Sequence, residues 1–354
     1  MSIAGRRIGV DVAPYIIAEV SANHNGRLEN ALRLIDVAKQ AGADAVKLQT
    51  YTADTITLNS DAPDFQIHGG LWGGKSLYQL YQEAQMPWEW HASLFEHARR
   101  LDITIFSSPF DTTAVDLLED LNVPAYKIAS FEAIDLPLIR YVAGTGKPMI
   151  ISTGMADAEE IGEAIEAART GGCKQLAILH CVSGYPAPAA DYNLRTLLDM
   201  QQRFGLVTGL SDHTLDNTTA VTSVALGASI IEKHFTLDRN GGGPDDSFSL
   251  EPVELKQLCD GAKTAWSALG QVDYGRKSSE KGNAQFRRSL YFVRDLQVGE
   301  IITADAVRSV RPGFGLPPKF MAEVIGKTVN QPILANTPVK GCFLNDAHQN
   351  YFVK

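Results

Sequence analysis

The first turn after an apolar run in this chain reads EVSANHNG (19–26). It lacks the G-x-G-x-x-G spacing that a doubly wound, dinucleotide-binding sheet carries at that place. Around it one unit repeats. Short β-rich runs recur at YIIAEV (15–20), AVKLQT (45–50), ITIFSSP (103–109), AYKIAS (125–130), PMIISTG (148–154), LAILHC (176–181), LVTGLSD (206–212) and SIIEKHFT (229–236). Each precedes a segment with helical apolar spacing. In LENALRLIDVAKQAG (28–42), Leu28, Ala31, Leu32, Ile35 and Ala38 share a face, and Gly42 stands where a C-cap belongs. ADAEEIGEAIEAARTGG (156–172) ends on Gly171 and Gly172, with Asp157 as N-cap. Apolar strands alternating with amphipathic helices predict a parallel sheet covered by helices. Eight near-equal units between Tyr15 and Leu269 predict a closed (β/α)8 TIM barrel rather than an open sheet.

One connection is out of scale. Between LQT (48–50) and Trp88 runs a long stretch containing DFQIHGGLWGGKSLYQLY, whose aromatics and glycines predict an ordered loop near the site rather than a disordered one. The barrel spans 1–270, and the polar, charged segment 271–284 reads as a linker. Residues 285–354 predict a small β-rich domain of short strands, turns and one helical turn, which packs on a barrel, its own or a partner's.

Acidic residues outnumber basic ones, 41 to 32, for a net charge of −9. Nucleic-acid binding, dominated by phosphate neutralisation, is therefore not expected. No apolar run reaches the roughly 18 residues of a membrane span, and no signal peptide is read at MSIAGRRIGVDVAPY. The cysteines (Cys173, Cys181, Cys259, Cys342) form no CxxC motif, so a reduced, cytoplasmic chain is expected.

In a TIM barrel the active site lies at the C-terminal strand ends. Here those ends carry Glu19, Lys47, Gln49, Ser107, Ser108, Lys127, Ser130, Ser152, Thr153, His180, Ser211, Asp212, His213, Glu232, Lys233 and His234. His213 and His234 end neighbouring strands, so both rings can reach one ion. Two imidazoles leave positions open for water and substrate oxygens, which suits catalytic Mn²⁺ or Mg²⁺, with Co²⁺ also admissible. The plainer reading is a pair of hydrogen-bonded core histidines. His180 is a third ligand or, more simply, a core residue. Lys47 and Lys127 sit within apolar strands, where a bare ammonium costs several kcal/mol. They require an anion, such as a phosphate or carboxylate ligand beside Ser130, Ser152 and Ser211, or a salt bridge to Glu19 or Glu132. A Schiff-base lysine is a separate option. The loop RNGGGPDDSFSLEP (239–252) covers the barrel mouth, and its Asp245 either binds sugar hydroxyls and assists proton transfer or is a solvated turn residue.

AEVSANHNG (18–26), KLQTY (47–51), FSSPFD (106–111), KIAS (127–130), STGM (152–155), GLSDHT (209–214), EKHFTLDR (232–239) and GPD (243–245) together resemble the sialic acid synthase family. FRRSL (286–290) and RPGFGLPP (311–318) resemble its C-terminal antifreeze-like (SAF) domain. GGLWGGKSLYQLYQEAQMPWEWH (69–91) and GGGPDDSFSLEP (241–252) are most similar to the pseudaminic branch, and the N-acetylneuraminic and legionaminic branches are the alternatives.

The resemblance implies metal-dependent condensation of phosphoenolpyruvate with 2,4-diacetamido-2,4,6-trideoxy-L-altrose and water, releasing phosphate by C–O cleavage. It implies that His213 and His234 hold the metal. Lys127, Ser152 and Ser211 bind the phosphate, and Lys47, Ser108 and Ser130 the carboxylate. Glu19 sits near the cationic carbon, while Gln49, Glu132, Tyr185 and Asp245 contact the sugar. Arg311 reaches the sugar from the SAF domain of a second subunit, in a domain-swapped homodimer. Two positions depart from the family pattern: Ser183 replaces a usual Asn, and Ser108 a commoner Thr. A non-catalytic glycan-binding protein and a class II-type metal aldolase are the competing classes. The complete set Glu19, His213 and His234 argues against the first, and phosphate release would separate the second.

Overall fold

The computed structural model describes residues 1–345, and the last part of the expected C-terminal domain, 346–354, lies outside the described residues. The chain divides into two compact units, Met1–Gly270 and Gln271–Lys354. In the first, β1 (Tyr15–Glu19), β2 (Ala45–Thr50), β3 (Thr104–Pro109), β4 (Tyr126–Ile128), β5 (Met149–Ser152), β6 (Leu176–Cys181), β7 (Val207–Asp212) and β8 (Ile230–His234) form a closed barrel in sequence order. All eight neighbouring pairs are parallel, and β8 closes on β1 with His234 beside Glu19. The barrel read from the strand–helix alternation is therefore the fold.

Helix α1 (Leu28–Ala41) ends as its sequence dictates, on Gly42 at φ 93°, a left-handed position open to glycine without a Cβ penalty. Its buried stripe is rotated from the expected one. Ala31, Leu34, Ile35, Ala38 and Ala41 are buried, while Leu28 and Leu32 are only half-buried. The i, i+3, i+4 track continues through Leu34 because side chains lean toward the helix N-terminus, which leaves Leu28 at the open first turn. Helix α2 (Ala158–Thr170) starts from Asp157, whose carboxylate accepts from the Glu159 and Glu160 amides, while Glu160 reaches back to the Asp157 amide.

Strand β7 carries Gly209 for a packing reason. A Cβ there would lie 2.4 Å from the Ile230 carbonyl oxygen and 2.7 Å from a Leu179 methyl. Strand β4 stops at Ile128, short of the expected Ser130, which instead opens a 3-10 turn, Ser130–Ile134. That turn brings Ser130 and Glu132 over the end of the barrel.

The long connection after β2 is ordered, with short helices at Ala53–Ile56 and Leu77–Ala84. Ser76 caps the second through a reciprocal bond with Gln79. In the second unit, β9 (Ser289–Phe292) pairs antiparallel with β10 (Val307–Val310) over a separate small core around Leu290, Phe292, Ile302 and Val329. A helical turn, Met321–Val324, completes it. Among the described residues no helix is long and apolar enough to cross a membrane.

Candidate active site

Four ionisable side chains, each nearly or wholly buried, meet at the C-terminal end of the barrel: Glu19, Lys47, Lys127 and Glu232. Register places Glu19 beside Lys47 on β1 and β2, and Glu232 beside Ser211 on β8 and β7. Lys47 Nζ lies 2.6 Å from Glu19 Oε2 and 3.6 Å from Glu232 Oε1, and Lys127 Nζ lies 3.5 Å from that same Glu232 oxygen. Lys47 also donates to Ser108 Oγ at 3.2 Å, and Ser211 Oγ donates to Glu232 Oε1 at 3.3 Å. Gln49 Nε2 donates to Glu19 Oε1 at 3.1 Å and to Ser21 Oγ at 3.0 Å.

Burial governs the charges. Glu19 is pushed up to about 7, mainly by desolvation, although Lys47 opposes the shift. Glu132 is likewise raised to about 7 by burial. Desolvation holds Lys127 below the usual lysine range against the pull of Glu232. Burial also acts to lower Lys47, but Glu19 and Glu232 outweigh it and leave Lys47 raised.

Both lysines and Glu19 stand out in the sequence as site residues, whereas Glu232 carries no role there. The available signal was alternation: Glu232 and His234 are two apart on one strand, so a lumen-facing His234 brings Glu232 with it. Lys127 takes Glu232 as its carboxylate, rather than Glu19 or Glu132.

Beside this cluster lies a serine-lined recess. The Gly154 amide donates to Ser130 Oγ at 3.2 Å, and among the described residues the buried hydroxyls of Ser152 and Ser183 have no partner. A Cβ on Gly154 would fall 2.3 Å from Ser183 Oγ and 2.8 Å from Ser130 Oγ, so the glycine keeps the recess open. Unpaired buried hydroxyls, at the same end of the barrel as two buried lysines, suit a bound anion.

The histidine pair is the next feature outward. The rings of His213 and His234 have centroids 5.4 Å apart. His213 Nδ1 is 2.8 Å from the Val182 carbonyl, so it carries the proton and Nε2 carries the lone pair. His234 Nδ1 is buried with no hydrogen-bond partner among the described residues, 3.8 Å from Asp245 Oδ2, and burial holds this ring well below the usual histidine range. Burial also acts to lower His213, but Cys181, the Val182 carbonyl and Glu232 outweigh it and raise that ring above the usual histidine range. Two imidazoles beside a carboxylate fit one divalent ion, which would displace any proton on His213, although among the described residues no group of three or more ligating side chains closes around a point. His180 stands apart, with Nε2 on the Tyr192 carbonyl at 2.5 Å.

A cavity of about 270 Å³ opens above these groups. Gln49, Ser130, Glu132, Tyr185, His234 and Asp245 form its polar side. The long loop and its neighbours supply Tyr51, Ile56, Trp72, Leu80, Tyr81 and Phe110 on the other side. Trp72 donates its indole N–H to the Pro244 carbonyl at 2.9 Å, joining that loop to the glycine-rich one. Tyr185 packs 4.4 Å from the His213 ring. Asp245 accepts from Ser21 at 2.5 Å, whereas Asp246 serves the loop itself through Thr236, Asn25 and the Gly243 amide. Arg311 follows β10 in the second unit.

Residues 34–274 match the NeuB family and residues 287–341 the SAF domain. This chain belongs to the NeuB family. The NeuB chain is 44% identical over 328 residues to a protein named pseudaminic acid synthase from Helicobacter pylori, covering 92% of this chain and 96% of that one. It is 45% identical to the protein of the same name from Campylobacter jejuni serotype O:23/36, covering 91% and 94%. Among solved structures, N-acetylneuraminic acid synthetase from Leptospira borgpetersenii, in complex with citrate, superposes with a TM-score of 0.71 at 30% identity, covering 80% of this chain and 94% of that one. This NeuB-family chain is thus a biosynthetic enzyme.

Proposed function

We propose that this enzyme condenses phosphoenolpyruvate with 2,4-diacetamido-2,4,6-trideoxy-L-altrose and water, giving pseudaminic acid and inorganic phosphate. The observation that carries the reading is the buried Glu19–Lys47–Glu232–Lys127 cluster, at the end of the barrel that also carries the serine recess and a cavity bordered by His234 and Asp245. Two desolvated ammonium groups and unpaired hydroxyls suit the phosphate and carboxylate of phosphoenolpyruvate. Lys127, Ser152 and Ser211 take the phosphate, and Lys47, Ser108 and Ser130 the carboxylate.

The enol C3 attacks the sugar aldehyde, and a C–C bond forms as the aldehyde π pair moves onto its oxygen. That alkoxide takes up the proton that Glu19 later removes from water, and C2 becomes electron-poor. Glu19, poised near neutrality, stabilises that carbon and takes a proton from the water that adds to it. The C2–O(phosphate) bond then breaks, the C2 hydroxyl passes its proton to the departing phosphate, and the 2-keto group remains. Gln49 orients Glu19, and Glu132, Tyr185 and Asp245 hold the sugar. His213 and His234 would hold a divalent ion, Mn²⁺ or Mg²⁺, which when bound supplies Lewis-acid polarisation of the aldehyde.

The aliphatic and aromatic wall from Ile56, Leu80 and Phe110 suits a deoxygenated, N-acetylated sugar better than a fully hydroxylated one. The two relatives named pseudaminic acid synthase support the same branch. In this reading the enzyme is a cytoplasmic homodimer in which Arg311 of the partner subunit reaches an acetamido carbonyl.

The test is phosphate release from phosphoenolpyruvate carrying ¹⁸O at the bridging oxygen, with the altrose-configured sugar and N-acetylmannosamine in parallel, each with and without EDTA. The reading expects ¹⁸O-labelled phosphate with the first sugar alone, abolished by chelation. Turnover with N-acetylmannosamine alone, or unlabelled phosphate, refutes it.

A further inference from the structure

We propose that the buried Lys233–Asp212 pair, on the outer face of the barrel wall, is a positioning device that fixes His213 and His234 at their working separation. The inference rests on reading the two histidines as metal ligands. Lys233 immediately precedes His234 and Asp212 immediately precedes His213, so strand alternation turns both away from the cavity. They are register partners on β8 and β7, and both are essentially fully buried.

Lys233 Nζ lies 2.9 Å from Asp212 Oδ2, 2.6 Å from the Thr214 carbonyl and 2.8 Å from the Asp216 carbonyl, which occupies all three ammonium protons. Asp212 in turn accepts from the Thr214 amide at 2.9 Å and from its hydroxyl at 3.1 Å. A barrel wall beneath helices needs only apolar side chains. A buried ion pair there is no better for stability than well-packed hydrophobes, and is often worse.

What the pair holds is informative. Its tip grips the backbone directly behind His213, while its root is the strand that carries His234, so one side chain links the two imidazoles mechanically. The rest of His213 is held as tightly. Its amide donates to Tyr192 Oη at 2.6 Å, its carbonyl accepts from the Ala187 amide at 3.0 Å, and Nδ1 donates to the Val182 carbonyl. The lone pair of Nε2 is aimed by this frame, the role that groups behind a metal-binding histidine ordinarily play.

Lys233→Met alone strands the Asp212 carboxylate and is the variant expected to misfold. The double variant Asp212→Asn/Lys233→Met removes both charges while leaving Asn Oδ1 to accept from Thr214, and it decides the matter. Mn²⁺ alone is titrated calorimetrically into metal-free protein, melting temperatures are compared, and histidine ring ¹⁵N spectra are recorded without metal. The expected result is a double variant that melts within a few degrees of wild type, binds Mn²⁺ about 10- to 100-fold more weakly, and shows His213 in two tautomers instead of one. Unchanged Mn²⁺ affinity with a single His213 tautomer overturns the proposal, whether or not the melting temperature falls. If wild type takes up no Mn²⁺, the metal reading fails by itself and the tautomer comparison still decides the positioning role.

Discussion

Replacing Glu232 with Gln preserves its shape and removes the one carboxylate, among the described residues, in ion-pair contact with Lys127, at 3.5 Å. Lys47 keeps Glu19 at 2.6 Å, so the perturbation falls on Lys127. Breaking one side of a buried pair costs about 3–5 kcal/mol. Lys127 has an alternative, which is to fold unprotonated. At pH 7 that costs at most about 4.6 kcal/mol, given an ordinary lysine pKa near 10.4. Both routes predict a melting temperature lower by roughly 10 °C for a domain of this size.

The second route, in which Lys127 folds unprotonated, also predicts a signature in pH. The unfolded chain then binds one more proton than the folded one, so the stability of the variant rises by about 1.4 kcal/mol per pH unit from pH 7 toward 9. Phosphoenolpyruvate at 100 times its Kd adds about 2.7 kcal/mol to a one-site protein. Because it restores an anion to Lys127, its effect on the variant should exceed its effect on wild type. Differential scanning fluorimetry at pH 7, 8 and 9, with and without phosphoenolpyruvate, measures all three. A variant within 2 °C of wild type, with the same pH slope and the same ligand shift, would refute the charge-balance account.

Gly154→Ala should raise the KM for phosphoenolpyruvate about tenfold or more while sparing the sugar KM and the fold, because its methyl enters the serine recess; steady-state kinetics separates the two. Glu19 and Glu132, both raised to about 7 by burial, hold protons in the folded state that the unfolded chain has already lost. Their stabilisation is complete below about pH 4.5 and is lost as pH rises through 7, so denaturant unfolding should show stability falling across that window, with about half the slope in Glu19→Gln. Trp72→Ala, which frees the indole bond to Pro244, should raise the sugar KM and leave phosphoenolpyruvate binding unchanged in calorimetry.

The barrel was legible because its signal is local: apolar runs of strand length, each answered by a helical stripe with its own cap, as at Asp157 and Gly42. The lysines were legible because a charge inside an apolar run demands an explanation. Which carboxylate supplies it was not, since Lys127 and Glu232 meet across the barrel and no spacing along the chain encodes that distance. The end of β4 was overrun because Ser130 remains compatible with a strand until the 3-10 turn is seen. The cavity wall from Ile56, Leu80 and Tyr81 was equally hidden, because a loop without periodicity does not announce which side chains turn inward.

The side chains that would handle phosphoenolpyruvate come from strand ends and from the turns just beyond them, whereas part of the cavity wall that would face the proposed sugar, Ile56, Trp72, Leu80, Tyr81 and Ala84, belongs to the excursion between Tyr51 and Trp88. The two can therefore change on different evolutionary clocks. Grafting another family member's excursion onto this barrel should move sugar preference without rebuilding the bond-forming apparatus. It also offers a route to enzymes for acidic sugars that do not occur in nature.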